Sequence, residues 1–196
     1  DDYIEKNFLE VTVPILENNQ DVGFVYSKTI IFNEINKKEM YVFGKNSGKY
    51  KIKDYIERIV VGGKKGVPVS PGCAIFRKKD IEKNFLIDIP NVEERDFSQY
   101  GAGTDLLLFL LTYCDYDYFY YSGNTKSYFR GHKNSMTVAN NLDYYYNSAI
   151  YYFFEIETKN DLDDIKNKFY SKIFIKDKKI LNGKKFQFQF SFILKK

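Results

Sequence analysis

The sequence predicts an α/β fold, on three observations. Segments rich in β-branched and aromatic residues alternate along the chain with segments whose apolar residues recur at helical spacing. Glycine-rich loops lie at the ends of the predicted strands, where α/β proteins build their binding sites. The 196 residues are 44% hydrophobic, which is enough to fill a core for one domain or a little more.

The first third of the chain predicts a helix, two strands and a second helix. Residues 4 to 18 carry apolar side chains at helical spacing: Ile4, Phe8, Val11 and Ile15. Pro14 removes one amide donor and is expected to kink or shorten this helix. The run VGFVYSKTIIF, 22 to 32, predicts a strand, with MYVF at 40 to 43 as a short companion. KDYIERIVV, 53 to 61, predicts a helix.

The middle of the chain contains two glycine-rich loops. GGKKGVPVSPG, 62 to 72, predicts a loop, and CAIFRKK after it predicts a short strand. Residues 91 to 103 are polar and end in GAG. TDLLLFLLTYC then predicts a helix buried on all sides and capped by Thr104 or Asp105. DYFYYSG, 117 to 123, predicts a strand.

The remainder predicts mainly helix. LDYYYNSAIYYFFEI and NDLDDIKNKFYSKIF each predict a helix, and the second has an acidic start and a basic end that suit the helix dipole. FQFQFSFIL alternates phenylalanine with polar residues, which favours a strand after the turn at Asn182 and Gly183. We expect a first region over residues 1 to 140 and an extension over 141 to 196.

Composition excludes several classes of protein. The net charge of +4 is small and the basic residues are dispersed, so nucleic-acid binding is not expected. Cys73 and Cys114 lack metal-ligand spacing and predict buried, reduced thiols. The longest apolar run, LLLFLL, is too short to cross a bilayer, and no signal peptide is visible. Because the chain opens on Asp1 rather than methionine, we expect a piece of a longer protein.

Two acidic stretches could carry chemistry. The adjacent carboxylates of Asp1 and Asp2 could hold a divalent cation that bridges a diphosphate, or they could cap the helix after them. In GAGTDLLLFLL, flexible glycines present Asp105 at the mouth of a buried helix, as a general base requires. The alternative for Asp105 is again a helix cap.

A basic stretch, SYFRGHKNSMT, contains the only histidine of the chain. Arg130, His132, Ser135 and Thr137 supply a guanidinium, an imidazole and two hydroxyls that could converge on phosphate oxygens or on a metal. The alternative is a surface loop. Together with the acidic stretches, this set suits a metal-assisted group transfer from a diphosphate donor.

With these residues the sequence resembles glycosyltransferase family 2, enzymes of GT-A fold that build bacterial surface polysaccharides. The resemblance spans residues 1 to about 140. Four stretches carry it, in the order of the family: DDYIEKNFLE with DVGFVYS, VSPGCAIFRKKDI, YGAGTDLLLFLL and YFRGHKNSMT. The resemblance implies the C-terminal half of a GT-A domain with a mixed sheet, without the N-terminal region that grips the nucleotide.

The resemblance also implies roles. Asp1 and Asp2 look like the end of an acidic DxD-type motif that binds metal, and Asp105 like the base that deprotonates the acceptor. Arg130 and His132 match the basic loop that closes over the donor diphosphate, where Ser135 and Thr137 also lie and where His132 could touch the metal. Gly72 and Cys73 fall on the acceptor side.

The activity implied is an inverting transfer of a sugar from a nucleotide-diphospho-sugar to a hydroxyl of a glycan or lipid-linked acceptor, with Mg²⁺ or Mn²⁺. We expect a cytoplasmic enzyme; association with the inner face of the membrane and a homodimer stay open. The competing hypothesis is a non-catalytic carbohydrate-binding or scaffold module, in which exposed tyrosine and phenylalanine rings stack on sugars.

Overall fold

A computed structural model describes residues 2–33, 39–43, 46–61, 70–91, 94, 96–99, 101–131, 142–157, 159 and 161–181 of the chain. The chain divides into two compact units, Asp1–Asn160 and Asp161–Lys196. The first unit includes the helix after residue 140. Its extent does not test whether the family resemblance ends near residue 140, and that boundary stays a prediction.

The first unit alternates strands and helices. In chain order the elements are β1 Tyr3–Ile4, α1 Phe8–Asn18, β2 Val22–Asn33, β3 Glu39–Phe43, β4 Gly48–Lys51, α2 Ile52–Val61, β5 Ala74–Phe76, α3 Lys78–Asn84, α4 Thr104–Asp115, β6 Tyr118–Gly131 and α5 Asp143–Ile156. Short 3₁₀ turns cover Pro71–Cys73 and Phe97–Gln99. The unit is therefore α/β, as predicted.

The six strands form one mixed sheet built around two long parallel strands, β2 and β6. The outer edge of β6 is covered by β4 along its first part and by β1 along its second part, both antiparallel. The outer edge of β2 is covered in the same way by β5 and then β3. The two central strands thus run in the same direction and end at the same edge of the sheet.

Helices cover both faces of this sheet. Adjacent residues of a strand point to opposite faces, and in β2 these are Phe24 and Val25. Val25 joins a core cluster with Leu16 of α1. The ring of Phe24 instead meets the ring of Phe109 of α4 with 5.0 Å between centroids, and that of Tyr55 of α2 with 5.6 Å. Each such buried aromatic side chain stabilises the fold by about 2 kcal/mol.

Arg77 fastens one end of the fold. It lies between β5 and α3, and its guanidinium donates to the carbonyl oxygens of Val22 at 2.6 Å, Leu16 at 2.7 Å and Asn19 at 3.1 Å. These carbonyls belong to the last turn of α1, to the residue after it and to the start of β2. The last turn of a helix leaves carbonyl groups without hydrogen-bond partners. Arg77 supplies donors to carbonyls that would otherwise lose their water without gaining a hydrogen bond.

Most predicted elements are confirmed, and the exceptions have local causes. Ile4 was expected on the first helix, but it lies in β1 because it pairs with Ser127 of β6. The helix begins at Phe8 and continues through Pro14 to Asn18. The strand predicted over CAIFRKK stops at Phe76, and Lys78 begins a helix. β6 is longer than predicted and includes Arg130.

The second unit consists, in its described part, of helix α6, Asp163–Leu181. Ile165 and Phe169 lie four residues apart on one side of it and are buried. Asp163 and Asp164 occupy its first turn, where the helix dipole favours negative charge. The predicted strand FQFQFSFIL lies outside the described residues. Across the described ranges no helix is long and apolar enough to span a membrane.

Candidate functional site

The residue that best fits a chemical role is Asp105, in the first turn of α4. Along residues 104 to 113 every side chain is buried except that of Asp105, which is half-buried. The loop before it turns through Gly101 and Gly103, whose φ angles of 62° and 89° favour glycine. The first turn of this buried helix therefore carries one partly accessible carboxylate, and its use as a general base stays a prediction.

The two oxygens of Asp105 have different surroundings. Oδ1 accepts hydrogen bonds from the amides of Gly103 at 3.0 Å and Leu106 at 2.7 Å, in the first turn of α4. The cap residue of α4 is Gly103, with no side-chain capping hydrogen bond, so the expectation that Thr104 or Asp105 caps this helix is wrong: both residues lie inside its first turn. Oδ2 accepts no hydrogen bond within the described ranges. The carboxylate is consequently held in place through one oxygen while the other can take a proton.

The environment tunes Asp105 toward proton transfer. Burial raises the pKa of its carboxyl from 3.8 to about 6, against the lowering effect of the backbone hydrogen bonds from Leu106 and Gly103. A base is most effective when its pKa is near the working pH, because it is then deprotonated and still binds a proton well. Asp105 meets this condition near neutral pH.

Asp105 and Cys73 both lie within electrostatic range of the same buried phenol. Burial raises the pKa of Tyr55, on α2, well above its usual value, and electrostatic interactions with Cys73, Tyr26 and Asp105 act in the same direction. Both predicted site residues are thus close enough to Tyr55 to affect its ionisation. Tyr55 is 1% exposed and stays neutral, which keeps the region between them free of added charge.

Cys73 itself is unsuited to nucleophilic chemistry. It is buried at the end of the 3₁₀ turn Pro71–Cys73, and its Sγ donates to the carbonyl of Ser70 at 2.9 Å. Burial raises the pKa of the thiol to about 12, so the reactive thiolate is not formed at physiological pH. Cys73 and Cys114 are both free, as predicted, but only Cys73 is buried; Cys114, near the end of α4, is half-buried.

Gly72 lies beside the end of β6. It is exposed, and a Cβ atom at this position would lie 3.6 Å from the ring of Phe129. Its amide donates to the hydroxyl of Ser70 at 3.3 Å, which fixes the turn. The predicted acceptor-side residue Gly72 therefore neighbours the strand that carries Arg130.

Asp2 and Arg130 are brought together although 128 positions separate them in the chain. Oδ1 of Asp2 accepts a hydrogen bond from the amide of Arg130 at 2.9 Å. The contact follows from the pairing of β1 with β6, in which Tyr3 lies opposite Tyr128. The rings of these two tyrosines stack with 4.5 Å between centroids, which holds the start of β1 at the carboxyl end of β6.

Asp2 also has the chemistry of a cation ligand. It is exposed, and within the described ranges its Oδ2 accepts no hydrogen bond. One or two carboxylates with phosphate oxygens and water are the ligand set that Mg²⁺ prefers. No group of three or more metal-ligating side chains occurs among the described residues. Asp1 and His132, the other two predicted ligands, lie outside them.

The predicted site is therefore described in part. Asp2 adjoins Arg130 at one edge of the sheet, and Gly72 adjoins the same strand. Cys73 and Asp105 are both within electrostatic range of Tyr55. Ser135 and Thr137 lie, like Asp1 and His132, outside the described residues. The expectation that His132 faces Asp105 across a pocket stays a prediction.

Two residues near Asp105 carried no signal in the sequence. Tyr55 is one apolar position of an ordinary amphipathic helix. Tyr146 lies in a run of three tyrosines that predicted only a packed helix. Its electrostatic interaction with Asp105 arises from the tertiary structure.

Comparison of the chain with protein-family models, with curated proteins and with solved structures finds no match.

Proposed function

We propose that this chain is part of an inverting glycosyltransferase that resembles family 2, with a sheet of GT-A type, and that it transfers a sugar from a nucleotide-diphospho-sugar to a hydroxyl group. The observation that carries the proposal is Asp105. One of its oxygens is fixed by two amides, the other accepts nothing in the described part of the chain, and its pKa is about 6.

The position of the basic and acidic residues at the sheet edge supports the same activity. In α/β sheets, ligands bind beyond the carboxyl ends of the parallel strands. Arg130 is the penultimate residue of β6, and Asp2 contacts its amide. A guanidinium at this edge suits a diphosphate, to which it can donate paired hydrogen bonds.

The reaction that we propose is a single displacement. Oδ2 of Asp105 takes the proton of the acceptor hydroxyl while that oxygen forms a bond to the anomeric carbon. The bond from the anomeric carbon to the donor phosphate oxygen breaks, and its electron pair leaves with the nucleoside diphosphate. Attack from the face opposite the leaving group inverts the anomeric centre.

Charge at the leaving diphosphate is offset by Arg130. A divalent cation held by Asp2, with Asp1 and His132 as further ligands, would supply additional positive charge to the phosphate oxygens. Removing one well-placed electrostatic group of this kind typically costs about 3 to 4 kcal/mol in the transition state. The resemblance places the product in bacterial cell-surface polysaccharide, which is part of the proposal.

The test is Asp105→Asn in the intact protein. Nucleotide release from a panel of nucleotide-diphospho-sugars with Mn²⁺ identifies the donor, and the variant is then expected to lose about 100- to 10,000-fold in turnover, the range typical of a lost general base. Donor affinity measured by calorimetry should change little. In the wild type, kcat/KM should rise with pH through about 6 as Asp105 loses its proton.

Asp54→Asn is the matched control. Asp54 also lies in the first turn of a helix, α2, but it is exposed. Its variant should keep full turnover. Equal turnover in both variants would refute the role of Asp105, and sugar binding without nucleotide release from any donor would favour the carbohydrate-binding module instead.

A further inference from the structure

We propose that Tyr146 of α5 binds the acceptor beside Asp105, and that the acceptor is a sugar ring bearing a second hydroxyl next to the one that reacts. This inference rests on the proposed transferase function and extends it. It brings α5, which lies beyond the stretches that resemble family 2, into the site.

The first turn of α5 packs on the loop that carries Asp105. A Cβ atom at Gly103 would lie 2.7 Å from the carbonyl oxygen of Tyr145, so the two backbones are in close contact. The ring of Tyr145 meets the ring of Phe97 edge-on, with 5.1 Å between centroids. The peptide that joins Tyr145 to Tyr146 is therefore held against a glycine two positions before Asp105.

A second contact fixes the rotation of this turn. The hydroxyl of Tyr144 donates to Oδ1 of Asn91 at 3.1 Å, while the ring of Tyr145 is buried on Phe97. Successive residues of a helix are turned by about 100°, so two anchored neighbours fix the direction in which Tyr146 leaves the helix axis. The side of α5 on which Tyr146 lies is therefore set by packing.

Tyr146 is the partly open position on an otherwise closed stripe. Residues at its i−4, i+3, i+4 and i+7 positions share its side of α5 and are all buried: Leu142, Ala149, Ile150 and Phe153. Tyr146 is only half-buried. Part of the Tyr146 side chain is therefore accessible at a position where its helical neighbours are closed.

Tyr146 and Asp105 are neighbours electrostatically as well. Burial, together with the charge of Asp105, raises the pKa of Tyr146 to about 12. The phenol is thus protonated at physiological pH and can donate a hydrogen bond. Within the described ranges its hydroxyl has no hydrogen-bond partner, and neither has Oδ2 of Asp105.

The pair fits two hydroxyls better than a phosphate. Oδ2 of Asp105 accepts the proton of one hydroxyl, and the phenol of Tyr146 hydrogen-bonds the oxygen of the neighbouring one. The ring of Tyr146 adds an apolar edge for sugar C–H groups. A lipid phosphate as acceptor would bring negative charge to the carboxylate of Asp105, which is unfavourable at short range. A sugar hydroxyl brings none.

Binding can be tested without the donor. Saturation-transfer difference NMR with a panel of methyl glycosides of common hexoses should reveal at least one ligand of the wild-type protein. Tyr146→Phe should lower the affinity for that ligand by about three- to tenfold, the range for one lost hydrogen bond. The control is Tyr152→Phe on the same helix, also at a half-buried tyrosine, which should leave the affinity unchanged.

A monodeoxy version of the bound glycoside sharpens the test. When the hydroxyl next to the reacting one is absent, wild type and Tyr146→Phe should bind equally, because the contact is already lost. The inference is overturned if no methyl glycoside binds the wild type, or if Tyr146→Phe binds as well as Tyr152→Phe. Circular dichroism of both variants verifies that each is folded.

These outcomes are separable from those of the transferase proposal. If nucleotide release depends on Asp105 but glycoside binding does not change in Tyr146→Phe, only the inference about the acceptor is refuted. If glycoside binding depends on Tyr146 but no donor releases its nucleotide, the transferase proposal is refuted and Tyr146 remains a sugar-binding residue.

Discussion

Replacing Asp105 by asparagine should make the protein more stable while it removes activity. Asparagine keeps an oxygen that can accept the amides of Gly103 and Leu106, which now bind Oδ1 at 3.0 and 2.7 Å. It removes the negative charge, which burial disfavours. The substitution therefore separates these backbone contacts from the cost of holding a carboxylate in the first turn of a buried helix.

The size of the effect follows from the pKa of Asp105. Its displacement from 3.8 to about 6 corresponds to about 3 kcal/mol against the charged form in the folded protein. The pKa of about 6 already includes the favourable effect of the backbone amides at the start of α4. A gain of about 3 kcal/mol at pH 7 follows, which raises the melting temperature by about 6 to 12 °C for a chain of this size.

The gain in stability of Asp105→Asn over the wild type should increase with pH. The pKa of Asp105 is higher in the folded state than in the unfolded state, so the wild type loses stability as pH rises from about 3.8 to about 6. Below this window both states hold the proton and no penalty exists. The difference in melting temperature between Asp105→Asn and wild type should therefore be small at pH 4 and reach its full size by pH 7.

Thermal unfolding followed by circular dichroism between pH 4 and 8 provides the measurement. Asp54→Asn, at an exposed carboxylate, should stay within about 0.5 kcal/mol of wild type throughout. The reasoning is refuted if Asp105→Asn is less stable than wild type at pH 7, or if its advantage is the same at pH 4. Gain of stability with loss of function is the pattern expected of a group kept for chemistry.

Further predictions concern the scaffold and the sheet edge. Gly103→Ala should cost about 3 kcal/mol or more in denaturant unfolding because of its positive φ and the contact with the Tyr145 carbonyl, whereas Gly101→Ala, with nothing within 4 Å of its Cβ position, should cost about 1 kcal/mol. Arg77→Leu should cost about 3 kcal/mol by the same assay, since three carbonyls lose a charged donor. Asp2→Ala should weaken Mn²⁺-dependent binding of a nucleoside diphosphate by about tenfold or more in calorimetry; unchanged affinity would contradict the cation site.

The parts of the fold that the sequence predicted well are those governed by local pattern. The run around Phe24 is rich in β-branched and aromatic residues and forms β2, and the all-apolar run after Asp105 forms the buried helix α4. Both segments are long enough for periodicity to outweigh other signals. Their local preference and their tertiary environment agree, so neither had to override the other.

The elements that were missed depend on contacts far away in the chain. β4, Gly48–Lys51, was not predicted, and it is a strand because it pairs with the first part of β6. α3 begins directly after Arg77, whose backbone is extended and whose side chain reaches the end of α1. A short strand followed at once by a helix offers no period long enough to recognise.

The candidate site divides in the same way. Family resemblance supplied the roles of Asp2, Arg130 and Asp105, and the first two are neighbours through a backbone contact. Tyr146 could not be chosen from among three consecutive tyrosines, because which of them neighbours Asp105 is decided by the packing of Tyr145 on Phe97. The rotation of α5 about its axis decides which tyrosine lies near Asp105, and the sequence does not reveal that rotation.

The two interpretations that the sequence left open for Asp105 were a helix cap and a general base. The cap residue of α4 is Gly103, with no side-chain capping hydrogen bond, and Asp105 lies inside the first turn of the helix. Its Oδ1 still binds two amides of this turn, and burial raises the pKa of the carboxyl to about 6. These contacts restrain the rotation of the carboxylate, which is what a base requires for repeated proton transfer in one geometry. Because Asp105 is not the cap residue, capping does not explain why a charged residue occupies this position, and the general base stays the proposal.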